Sequence, residues 1–234
     1  MAGKASAAKP AAISDSSPVN PDKDCRLCPR LAEYRDDNRA SSPNYFNGPA
    51  PSFGDPKASL LIVGLAPGLH GANRTARPFT GDYAGDLLYA TLSKFGFSTG
   101  TYAADPNDGV ILKGAMITNA VRCAPPQNKP VGAEIKTCRQ FLTAQIEDLP
   151  RLRAIMCLGR IAHDSTLAAL GLKPKDAPFA HGAVHQPPGA GYALFDSYHC
   201  SRYNTNTRRL TPEMFESVFA AIRAMIDKTE NKKS

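Results

Sequence analysis

The chain has 234 residues, 42% of them hydrophobic, and 28 Lys and Arg against 21 Asp and Glu give a net charge of +7. That is enough apolar material for one sizeable core, while no run reaches the about 18 apolar residues needed to span a bilayer, which excludes a membrane-spanning helix. The positive balance favours a polyanionic partner through counterion release and steering, and the N-terminus lacks the apolar centre of a secretory signal, so a cytoplasmic protein is expected.

Residues 1–20 are mostly Ala, Ser, Lys and Pro, whose burial cannot offset the entropy of ordering. A disordered tail is expected there, followed by a single domain over residues 21–227 and a second disordered tail at 228–234. Four short apolar runs read as strands of a buried parallel sheet: Ser59 to Val63, Ala115 to Asn119, Ala154 to Leu158 and Tyr192 to Asp196. Helical spacing fills the gaps, over Gly85 to Phe95, Ala133 to Leu149, Arg160 to Leu170 and Pro212 to Asp227. In the last of these Thr211 suits the cap and Pro212 the first turn, and Phe215, Val218, Phe219, Ile222, Met225 and Ile226 form one core-facing stripe. The alternation predicts the α/β class, as a three-layer α/β/α sandwich around a central four-stranded, mainly parallel sheet.

Ligands of open α/β sheets bind outside the carboxyl ends of the strands. Three of these ends carry unusual chemistry: the loop from Gly64 to Asp82, the segment Asn119 to Cys123, and the segment Ser197 to Asn204. Arg74, Arg77, Arg202, Arg208 and Arg209 fall in such loops rather than in the tails, which aims the positive charge at the site. Phe79 is an aromatic in a polar loop, fit to stack on a flat ligand. Asn119 offers one acceptor and two donors, and its rival role is a turn cap. Asp82 precedes a helix, where an N-cap is the competing role.

Cys25 and Cys28 form a C-x2-C pair, and Cys123 and Cys138 a second pair with fourteen residues between them. Together they suit one four-thiolate site. Zinc takes four thiolates but usually through two tight pairs, whereas iron–sulfur clusters accept scattered ligands. Reduced, buried thiols are the third reading. Cys157 lies mid-strand as a small core residue, and Cys200, beside His199, is a candidate thiol nucleophile whose neighbour points away from it.

The loop Gly64 to Gly68, the run Arg77 to Asp82, the segment Ile117 to Cys123 and His199-Cys200-Ser201 together resemble the uracil-DNA glycosylase superfamily, and more narrowly its family 5, from about Asp24 to Ile226. The resemblance implies an α/β/α fold, a [4Fe-4S] cluster on Cys25, Cys28, Cys123 and Cys138, and excision of uracil and other deaminated bases, such as hypoxanthine, from DNA. It implies Asp82 and His199 as catalytic groups, and Gly64, Phe79, Asn119, His70 and Asn73 around the base. Arg202, Tyr203, Asn204, Arg208 and Arg209 are expected on the DNA, with Tyr203 or Asn204 wedging the gap left by a flipped base. A cytoplasmic, nucleoid-associated protein is expected, and, with nothing in the sequence pointing to oligomerisation, a monomer.

Two departures stand out: Cys200 replaces the usual Pro after the motif His, and Ala76 stands where Gly is common. The loop Gly64 to Gly68 also lacks the acid that sister families carry there, so a noncatalytic cluster protein that senses damaged bases is the principal alternative, and a thiol hydrolase using Cys200 a second.

Overall fold

The computed structural model describes residues 19–231. In chain order the elements are α1 (Pro29–Ser41), β1 (Phe53–Gly54), β2 (Leu60–Gly64), α2 (Ala72–Thr75), α3 (Tyr83–Lys94), β3 (Ser98–Thr99), β4 (Ile111–Leu112) and β5 (Ala115–Asn119). A 3-10 turn at Pro126–Asn128 leads into α4 (Gly132–Glu147), β6 (Ala154–Leu158), α5 (Arg160–Ala169), β7 (Val184–His185), β8 (Ala193–Ser197), α6 (Arg202–Asn206) and α7 (Pro212–Asn231).

The four predicted strands are present and parallel, adjacent in the order β5-β2-β6-β8. The sheet has six strands rather than four, because β1 and β7 add antiparallel edges. Each of those edges is two residues long, too short for an alternating pattern to show in sequence. Short edge strands also blunt the sheet against pairing with another chain.

Successive residues of β2 face opposite layers, as the strand period requires. Leu60 and Ile62 join the cluster formed with α3 and α7, while Leu61 and Val63 join the one formed with α4 and α5. The stripe of α7 packs as expected: Phe215, Val218, Phe219, Ile222 and Ile226 are buried, and the Thr211 hydroxyl accepts from Met214 N at 3.2 Å to cap the helix. Burying each such side chain contributes about 1.5–3 kcal/mol.

The tails differ from expectation where they are described. Asn20 is tied down, its Oδ1 accepting from Ser52 N at 2.9 Å and from Arg122 at 3.2 Å. Helix α7 runs past Asp227 to Asn231. The rest of the two predicted tails lies outside the described residues. No helix among those described is long and apolar enough to cross a membrane.

Candidate active site

Register brings the strand ends together. Gly64 lies opposite Asn119, and Leu158 opposite Ser197. Above that edge opens a cavity of about 300 Å³, near the small end of ligand pockets. Phe79, Asp82, Asn119, His199 and Arg202, all expected at the site, line it, together with Leu65, Ala66, Pro67 and Gly68 of the first loop.

Gly64, expected beside the base, does not itself line the cavity but lies against Asn119 and Phe79, which do. A Cβ there would run into Asn119 Oδ1 and come within 2.8 Å of the Phe79 ring, so the missing side chain lets those two groups meet the cavity. Phe79 adopts φ +54, an uncommon left-handed conformation for an aromatic residue, and Tyr102 Oη donates to its carbonyl at 3.0 Å. Its ring stacks near His199, with centroids 5.8 Å apart at 28°. Ala76, in place of the usual Gly, also has a positive φ of +63, so the backbone keeps the conformation that Gly would supply freely.

Asp82 ends the loop and begins α3 without a side-chain capping hydrogen bond. Its Oδ1 is buried with no partner, and its Oδ2 faces the first loop, where a Cβ at Gly68 would sit 3.6 Å away and one at Gly71 2.5 Å away. A carboxylate thus approaches the first loop from a residue fourteen positions beyond Gly68 in sequence. Burial raises the Asp82 carboxyl above the ordinary range, against a weaker pull from the Gly85 and Ala84 N–H groups. Walled in by protein, the His199 imidazole is pushed down to about 4, so it is neutral at physiological pH.

Other expected residues stand back from the cavity. Asn73 is buried and donates to Asn47 Oδ1 at 2.9 Å, tying α2 to the preceding segment, while His70 is exposed and meets Tyr45 Oη at 3.1 Å. Arg77 is not aimed at a ligand. It is 5% exposed, forms two 2.7 Å bonds to Asp108 and lies against the Phe53, Tyr89 and Tyr102 rings. Asn204 donates to His199 O at 2.8 Å, so its amide holds the loop that carries His199. Around it Tyr203 is 72% exposed, Arg202 lies over the Tyr83 ring and Arg209 over the Tyr198 ring, and Arg208 edges a neighbouring cleft. Asn128, in the Pro-bracketed 3-10 turn with φ +57, also lines the cavity and was not expected there; it lies further along the segment that follows β5, where a polar residue between prolines was the available signal.

Cys200 is no nucleophile. It is fully buried, its Sγ contacts Ala84 O at 3.4 Å, and burial drives its thiol far up. In place of Pro it ties the His199 loop to the start of α3. Cys157 is a core residue, as expected, with its Sγ donating to Thr166 at 3.3 Å.

Cys25, Cys28, Cys123 and Cys138 line one small apolar cavity with Leu31, Val121 and Phe141, and all are free thiols. Burial pushes Cys123 up to about 12 and Cys138 to about 11, and Arg122 N donates to Cys138 Sγ at 3.3 Å. Arg30 on α1 forks onto Glu134 of α4 with bonds of 2.7 and 2.8 Å, clamping together the helices that adjoin Cys28 and hold Cys138. The donor trio in mutual contact among the described residues is a different one, His163, His185 and Asp196. There His163 Nδ1 meets Asp196 Oδ1 at 2.7 Å and Nε2 meets Ala177 O at 2.8 Å. Two acceptors require both ring nitrogens to donate, leaving an ion pair with no lone pair for a metal.

The model of the uracil-DNA glycosylase superfamily matches residues 51–223. The chain belongs to the uracil-DNA glycosylase superfamily. A type-5 uracil-DNA glycosylase of Thermus thermophilus is 47% identical over 83% of this chain and 90% of its own length. The type-5 enzyme of Pyrobaculum aerophilum is 40% identical over 86% and 88%, and that of Mycobacterium tuberculosis 42% identical over 83% and 75%. Type-4 relatives also match, at 31% identity over 72% of both chains for one from Pyrobaculum aerophilum.

Proposed function

We propose that this protein is a DNA glycosylase of base excision repair that flips uracil, and other deaminated bases such as hypoxanthine, out of DNA and hydrolyses the N-glycosidic bond. The observation that carries this reading is the joint placement of Asp82, Asn119, Phe79 and His199 around one cavity.

Extruding the nucleotide costs a few kcal/mol, least at a mismatch. Arg202, Arg208 and Arg209 offset it through phosphate contacts, and the exposed Tyr203 fills the vacated stack. The flipped base lies on Phe79 while the Asn119 amide reads its edge. Bond cleavage leaves positive charge on the sugar and negative charge on the base. The Asp82 carboxylate, little solvated and free at Oδ1, stabilises the sugar cation and orients the attacking water. The neutral His199 donates a hydrogen bond to the base anion, which needs no protonated imidazole. A sensor without catalysis would have no use for a desolvated, unpartnered carboxylate beside the base.

Cys25, Cys28, Cys123 and Cys138 would hold a [4Fe-4S] cluster. A single zinc ion, with Zn–S bonds of about 2.3 Å, would draw its sulfurs to within about 4 Å of one another. No three of these sulfurs form such a contact group among the described residues, which supports the wider reach of a cluster. When bound it supplies a crosslink between the segment before α1, the end of β5 and α4.

The test is single-turnover base release from duplexes carrying uracil or hypoxanthine. Wild type releases both, Asp82→Asn loses about 10²–10⁴-fold in rate, and Asn119→Ala and His199→Ala lose activity while still binding DNA. Absence of release by iron-replete wild type sinks the reading; release of uracil alone restricts it to that base.

A further inference from the structure

Two buried cations flank the four-cysteine cavity. Arg35 on α1 is 3% exposed and Arg122, just beyond β5, is 1% exposed. Among the described residues neither forms an ion pair with a carboxylate. Arg35 NH1 donates to Cys25 O at 2.9 Å, while its Nε and NH2 are buried without partners. Arg122 donates to neutral oxygens alone, Ala50 O and Asn20 Oδ1 at 3.2 Å and Val19 O at 3.0 Å, and its Nε is also buried without a partner. The nearby acid, Glu134, is already taken by Arg30 and Val131 N.

A buried guanidinium without a counter-ion is costly, and this region holds two. The groups within their field are the cysteines: Arg35 acts on Cys123, and Arg122 on both Cys123 and Cys138. Four thiolates around an oxidised [4Fe-4S] core form a dianion, which two guanidinium cations neutralise. We propose that Arg35 and Arg122 are the counter-ions of the cluster, and that they raise its reduction potential by stabilising the extra electron. The proposal rests on the four cysteines being cluster ligands. The step concerned is transfer of one electron from an electrode to the cluster, with no bond made or broken and no proton moved.

The test is anaerobic protein-film voltammetry of the holoprotein, after iron and sulfide are counted. Arg35→Gln and Arg122→Gln should each shift the potential to more negative values, by a tenfold change in the oxidised-to-reduced ratio at fixed potential, about 59 mV for one electron. Arg35→Lys and Arg122→Lys, which keep the charge, should shift it less than half as far. Arg26→Gln removes an exposed cation from between the first two cysteines, one already paired with Asp36 at 2.9 Å, and should leave the potential in place because solvent screens it. If a Gln variant fails to hold the cluster, retention by its Lys counterpart supports the proposal and loss from both overturns it. Gln variants with full clusters and the wild-type potential also overturn it. A wild type that carries zinc or lacks sulfide overturns instead the assignment of the cluster beneath it.

Discussion

Asp82 and His199 set the protonation requirements of the site. Burial raises the Asp82 carboxyl and lowers the His199 imidazole to about 4, so the ring is neutral across the neutral range. The single-turnover rate should therefore show no inflection near pH 6.5, where an ordinary histidine titrates. It should fall on the acid side as Asp82 takes up a proton. A rate that halves near pH 6.5 in wild type but not in His199→Ala would contradict this. The placement of Phe79, Asp82, Asn119 and His199 around one cavity was legible because each stands in a strand-end segment with chemistry that its neighbours lack. The role of Arg77 was not, since the acid that neutralises it, Asp108, is 31 residues away in sequence.

Among elements, the loop from Gly64 to Asp82 is held by that Arg77–Asp108 pair. Arg77 holds the Asp108 carboxyl well below its usual range, against the upward push of burial and with help from Ala103 and Val110 N–H groups. Asp108→Asn leaves a buried guanidinium without its counter-ion and should destabilise the fold by about 3 kcal/mol in urea melts at pH 7. Because the folded carboxyl titrates below the unfolded one, this contribution is intact above about pH 4 and is lost only as pH falls through the folded value. The gap between variant and wild type should thus be constant from pH 8 to pH 5 and close in stronger acid; a gap that closes near neutrality would contradict the assignment. The long elements were readable from apolar runs and helical stripes. Helix α1 was not, because its sequence, PRLAEYRDDNRAS, carries no apolar stripe and its place is fixed by tertiary contacts such as Arg30 to Glu134. The same holds for the two-residue edge strands, whose pairing exists only against a formed sheet.

For the whole molecule, a net charge of +7 matters through where it sits. With Arg77 spent inside, Arg202 lines the cavity, Arg208 and Arg209 follow α6, and Arg74 is exposed on the first loop. In an Asp82→Asn background, duplex affinity should fall with salt, and each of Arg202, Arg208 and Arg209 changed to Ala should reduce the log–log slope by about 0.9. Unchanged slopes would move the DNA to another face.

Asn119 is the last residue of β5, and Cys123 follows four positions later on the same run of chain. A residue lining the larger cavity and one lining the four-cysteine cavity are thus joined by three residues of chain. Between them Ala120 N and Val121 N donate to Gly64 O and Leu65 O at 2.9 Å, so damage at Cys123 reaches the first loop of the cavity before it reaches the sheet, which the two layers of apolar core hold. An oxidised sample should therefore look folded by circular dichroism and yet discriminate poorly between bases, so a preparation judged by its fold alone would be mistaken for an enzyme of relaxed selectivity.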